Sequence, residues 1–155
     1  YDVGTAHRIT VADLQATLAM QDVQLRTGDI VLLHTGWMQH FLAADTPTRE
    51  HLLHGAQVAT PGLDPVPEMV EYLWDSHIAA LASDTNSVEA IDSESRYYLH
   101  SQLLPLLGSP LGEYWHFPEL VADCDADGRY TFLLVSVPLN VRGAIGSPPQ
   151  AVAIK

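Results

Sequence analysis

An α/β fold is what this sequence predicts, on three observations. Ile30-Val31-Leu32-Leu33 is an apolar run without polar alternation, the mark of a strand covered on both faces. Two further strand-like runs occupy residues 78–82 and 130–137, the second being the most strand-like in the chain (YTFLLVSV). Apolar residues elsewhere recur at spacings of three and four, as Val11, Leu14 and Leu18 do, and again Val66, Met69, Val70 and Leu73, which is the helical period. Neither internal repeats nor low-complexity tracts nor a linker divide the chain, so residues 1–155 read as one domain, or most of one.

The elements follow in order. Residues 1–8 form an extended lead-in. Thr10 is a good N-cap for the first helix, and Asp13 sits in its first turn, where a negative charge suits the helix dipole. A turn at 25–28 leads to the Ile30 strand, which ends in His34-Thr35-Gly36-Trp37. Polar and small residues at a strand end are where α/β folds place their sites. Short helices are expected over 38–44 and 46–54. Asp64 is read as the N-cap, and Pro65 as the first residue, of the helix carrying Val66 to Trp74. The strand at 78–82 ends in Ser83-Asp84-Thr85-Asn86. A leucine-rich stretch follows, in which Leu99, Leu103, Leu106 and Leu107 mark one buried helical face. Pro105 interrupts this helix, and Gly108 and Pro110 end it. A short helix opens at Phe117-Pro118, residues 123–128 read as an acidic turn, and small residues make a loop of 143–148.

Composition narrows the function. With 155 residues, 47% hydrophobic and 17% charged, the chain is of the globular class. A net charge of −12 repels a phosphate backbone and anionic membrane surfaces, so neither nucleic acid nor membrane is an expected partner. No apolar run approaches the ~20 residues of a membrane span, and the first residues show no signal-peptide pattern. Cys124 is the lone cysteine, which excludes an internal disulfide and a cysteine zinc cluster, and a cytoplasmic location is the expectation.

Chemistry is sought among 8 histidines and the carboxylates. His100 lies beside Leu99, at the edge of the leucine face, and Glu113 follows inside Leu-Gly-Glu, where Gly112 would let the chain turn back. An imidazole and a carboxylate so placed could bind a divalent metal; the competing reading is a half-buried histidine and a surface glutamate. His34 ends a buried strand and serves either a pocket or the structure. His51 and His54 read as a solvated helix face, and His77 as a helix-end cap. His116 reads as either a supporting or an exposed residue. Asp84 and Glu89 could do acid/base work, or Asp84 could simply hold its loop. The Gly143/Gly146 segment lacks the phosphate-loop spacing. Cys124, in acidic surroundings, is a poor nucleophile.

Several of these pieces, taken in order, resemble the cyclase family, the metal-dependent hydrolases that include bacterial kynurenine formamidase and isatin hydrolase. They are Ile9-Thr-Val-Ala-Asp-Leu14, Gly28-Asp-Ile-Val-Leu-Leu33 with Thr35-Gly36-Trp37, Ser83-Asp84-Thr85 with Val88-Glu89, His100 with Leu103-Leu104, Leu111-Gly-Glu113, and Pro138-Leu139 with Gly143-Ala144 and Gly146-Ser147-Pro148. The resemblance implies a swivelling β/β/α-type fold with a mixed sheet flanked by helices. It also implies a zinc or manganese site and hydrolysis of a small-molecule amide, lactam or ester-like bond. It places His100 as metal ligand or catalytic proton shuttle, and Glu113 as metal ligand. The family's main metal motif, His-x-Gly-Thr-His-x-Asp-x-Pro-x-His, does not occur here. Gly4-Thr5-Ala6-His7 mimics a fragment of it, with an extra residue before the histidine and Ile9 where the aspartate would stand.

The expectation is therefore the C-terminal portion of a cyclase-family hydrolase domain, with the upstream ligands lost, cleaved or carried by another chain. Further expectations are an exposed apolar surface, a homo-oligomer or a partner chain with the N-terminal portion, and weak metal binding by this chain alone. The alternative is an inactive α/β binding or scaffolding domain of the same fold. Replacing His100 is expected to leave the fold intact.

Overall fold

A short strand, β1 (Arg8–Ile9), leads into α1 (Val11–Met20), whose start is closed by a capping box. Thr10 Oγ1 accepts the N–H of Asp13 at 3.2 Å, and the Asp13 carboxylate accepts the N–H of Thr10 at 2.8 Å. The computed structural model describes residues 1–54, 59–93 and 95–155. The elements that follow are β2 (Ile30–Leu33), α2 (Trp37–Ala43), α3 (Thr46–His54), β3 (Gly62–Leu63), α4 (Pro67–Asp75) and β4 (Ala80–Ser83). Then come α5 (His100–Leu103), β5 (Leu111–Gly112), α6 (Pro118–Asp127), β6 (Leu133–Val137) and β7 (Gln150–Ile154). The fold is mixed α/β, with sheets flanked by helices. Contacts divide it into two compact units, Tyr1–Pro118 and Glu119–Lys155.

In the first unit all paired strands run parallel. β1 pairs with β3, and β4 lies between β2 and β5. Leu81, Ala82 and Ser83 are buried, as the central strand of a covered parallel sheet should be. The core joins Leu63, Met69, Leu73, Leu81, Val88, Leu99 and Leu103, with Leu14 and Val31 packed against it.

Three expectations need correction here. The N-cap of α4 is Val66, with Pro67 in its first turn, because the Asp64 carboxylate is drawn 3.2 Å from Arg8 instead. The leucine-rich helix is short: α5 stops before Pro105, and Leu104 and Leu106 face solvent while Leu99 and Leu103 are buried. The acidic residues from Asp123 to Asp127 lie within α6 and not in a turn.

In the second unit, β6 and β7 form an antiparallel ribbon with Leu133 opposite Ile154 and Val135 opposite Val152. Leu133, Val135, Val137, Val152 and Ile154 are exposed together, so one side of the ribbon is a bare apolar face. Strand β6 starts three residues later than the apolar run, and β7 had no counterpart in the sequence reading. Among the described residues no helix is long and apolar enough to cross a membrane.

Candidate functional site

Three parallel strands deliver three titratable side chains to one edge. His34 follows β2, Asp84 follows β4 and Glu113 follows β5, each as the first residue past the strand's C-terminal end. This is the edge where open parallel sheets place their sites. The opposite edge holds an apolar cavity of about 170 Å³, lined by residues such as Leu73, Ile78 and Leu107; it contains none of these groups.

At the C-terminal edge, His100 stands between two carboxylates. Its Nδ1 lies 2.6 Å from Glu89 Oε2, and its Nε2 lies 2.8 Å from Glu113 Oε1. The sequence-predicted pair, His100 and Glu113, is thus brought together. Gly112 contributes differently from the expectation. The added Cβ of any other residue there would meet the Trp115 indole at 2.6 Å and Ala82 at 2.8 Å, so the glycine makes room for packing. The turn itself falls on Tyr114, a non-glycine residue at φ 57, held by its N–H donating to Thr85 O at 2.8 Å.

Glu89, which the sequence offered with Asp84 for acid/base work, was not linked there to His100 and Glu113. Its side chain is 2% exposed, yet it carries a charge. A signal was present: Glu89 stands between Val88 and Ala90, both buried, and a carboxylate enclosed in an apolar run needs a partner. Burial pushes its carboxyl upward, and the hydrogen bond and charge of His100 outweigh that, so it stays below the usual glutamate value. His100 responds in the opposite sense. The Glu113 contact first, and then the Glu89 hydrogen bond, push its imidazole up to about 10.

This shift sets a pH dependence. A raised histidine value means that the proton stabilises the folded state, so the contribution is complete below the unfolded value of about 6.5. It is lost as pH rises through about 10. Urea midpoints are therefore expected to fall steadily between pH 6.5 and 10. A flat profile across that window would show that His100 is not held as a cation.

The third carboxylate works structurally. Asp84, 1% exposed, accepts from Thr35 N at 2.8 Å, Thr35 Oγ1 at 2.7 Å and Gly36 N at 2.9 Å. It ties the end of β2 to the end of β4, where the sequence left open acid/base work or a bond within its own loop. His34 leans on this tie, 4.0 Å from Asp84, and pairs with Gln39 at 3.2 Å. The His77 ring bonds Trp74 O at 2.9 Å at the end of α4, as a helix-end cap should. His7 stacks on Tyr1 with ring centroids 4.2 Å apart. His116 is exposed and Cys124 is buried.

The fit of a divalent metal can be judged from one atom. Glu113 Oε1 is buried without a hydrogen-bond partner, although it lies 2.8 Å from His100 Nε2. An orphaned carboxylate oxygen beside an imidazole nitrogen is a two-donor set suited to zinc or manganese. Glu89 cannot join it, being committed to the other ring nitrogen. Among the described residues no group of three or more such donors is gathered for a metal.

Residues 2–90 match the family model described as "Putative cyclase", more than half of the chain, and the chain belongs to the cyclase family. It is similar to a solved structure described as a novel cyclase, with 32% identity over 97% of this chain and a TM-score of 0.88. The chain spans 48% of the length of that protein. A comparison with curated proteins finds no match.

Proposed function

We propose that this chain contributes part of the site of a metal-dependent hydrolase acting on a small-molecule amide, lactam or ester-like bond. The carrying observation is that His100 Nε2 and the orphaned Glu113 Oε1 lie 2.8 Å apart at the C-terminal edge of the parallel sheet. Family membership supports the reading. A zinc or manganese ion bound there would acidify water and polarise the substrate carbonyl. The chain's own residues do the rest. Glu89 keeps the Nδ1 proton in place, and Glu113 offers a negative oxygen. A catalytic zinc takes three protein ligands and leaves one position open, and this pair supplies two. The remaining donors would come from another segment or chain.

A second reading, an inactive binding or scaffolding domain, is favoured by the lack of a third donor among the described residues. Calorimetric titration of Mn²⁺ and Zn²⁺ into the chain separates the two. The hydrolase reading expects weak binding that is lost in both His100→Ala and Glu113→Gln, with the Glu113→Gln variant still folded. Binding unchanged in both variants, or none in the unsubstituted chain, sinks it.

A further inference from the structure

We infer that Glu89 is the positioning residue of this site: its buried carboxylate fixes the His100 imidazole so that Nε2 faces Glu113. The inference rests on the reading of His100 and Glu113 as metal ligands. One carboxylate holds His100 at two points. Glu89 Oε2 lies 2.6 Å from Nδ1, and Oε1 accepts the backbone N–H of His100 at 3.4 Å. A carboxylate ion has no proton to give, so Nδ1 is the donor, and Nε2 is the nitrogen a metal would take, displacing the proton it carries in the metal-free cation. Flipping the ring would put a carbon where Nδ1 stands and forfeit a charge-assisted bond.

The carboxylate itself is anchored. Leu63 N–H donates to Val88 O at 2.9 Å, and Ala90 N–H donates to Leu63 O at 2.9 Å, so Glu89 is bracketed by two backbone bonds to one strand residue. Its side chain is 2% exposed, which leaves it little room to choose another rotamer. His100, by contrast, opens a helix of four residues whose N-cap, Leu99, offers no side-chain bond. The short helix does not orient the ring; Glu89 does. Carboxylates behind metal-binding histidines act in this way elsewhere, and losing one costs on the order of 10–100-fold in metal affinity.

The test uses the whole chain, with Zn²⁺ alone as probe, and compares it with Glu89→Gln and Glu89→Asp. Proton NMR without metal should show one far-downfield, slowly exchanging ring N–H from His100. In Glu89→Gln that signal should move upfield or exchange away while the backbone amide spectrum is retained. Zinc affinity should drop on the order of 10–100-fold. Glu89→Asp keeps the charge at shorter reach and should fall between the two. A wild-type chain without the protected ring proton overturns the inference. So does a Glu89→Gln variant that keeps wild-type zinc affinity, whatever its ring signal. Should the wild-type chain take up no zinc, the ligand reading fails, and the ring-proton comparison alone decides the positioning role. Should Glu89→Gln fail to fold, the wild-type ring proton and the Asp variant decide it.

Discussion

Replacing His100 with alanine is expected to destabilise the fold by about 3 kcal/mol, because it strands a buried carboxylate. Glu89 keeps 2% of its side chain exposed, and His100 is the cation at 2.6 Å. Removing one partner of a buried pair costs roughly 3–5 kcal/mol. The low end applies here, since the His100 side chain is 33% exposed and water can enter the space it leaves. The leucine pattern alone leads to the expectation that the fold is indifferent to His100; the buried Glu89 beside it leads to the opposite expectation. A stranded carboxylate in an apolar setting is easier to protonate, so the deficit should shrink as pH falls. Pairing the change with Glu89→Gln removes the stranded charge and should recover most of the loss. Urea denaturation of the four proteins of this double-mutant cycle checks both statements. A single variant as stable as the wild type at pH 7, or a double variant no better than the single, would refute the argument.

What could be read from the sequence was local. The α1 start was legible because Thr10 and Asp13 carry their capping box within four residues. Strand β2 was legible because a covered parallel strand has no alternation to hide it. The pair His100 and Glu113 was raised by its placement in the sequence, with a competing reading beside it, and preferred through the resemblance. What failed was whatever depends on distant partners. Asp64 looks like an N-cap until Arg8 arrives from β1 to claim it. Asp84 looks like a loop residue until β2 ends beside it. Leu106 has helical spacing, but the helix it would extend has ended before Pro105. Glu89 could be named as an acid/base candidate but not tied to His100, because its partner comes from the next helix.

The bridge that anchors Glu89 also makes Gly62 intolerant of any side chain, which yields the second large effect. In Gly62→Ala the new Cβ would lie 2.6 Å from both Glu89 O and Ala90 N, and closer still to the Glu89 carbonyl carbon. These are backbone atoms, so no side chain can swing aside. On its other side Gly62 is paired with Arg8, and its N–H donates to His7 O at 3.1 Å, so β3 cannot simply retreat. Overpacking of this kind costs typically 1–3 kcal/mol, and the fixed backbone on both sides puts the expected loss at about 3 kcal/mol. The same push would displace the Glu89 backbone, and with it the carboxylate that meets His100. Gly62→Ala should therefore weaken the His100 ring-proton signal and zinc binding without altering any polar group. Gly146→Ala is the control: its Cβ would meet nothing within 4 Å, and a change within about 0.5 kcal/mol is expected. Thermal or urea unfolding of the two variants measures the difference, and a Gly62→Ala protein as stable as the control would show that the β3 bridge does not set the place of Glu89.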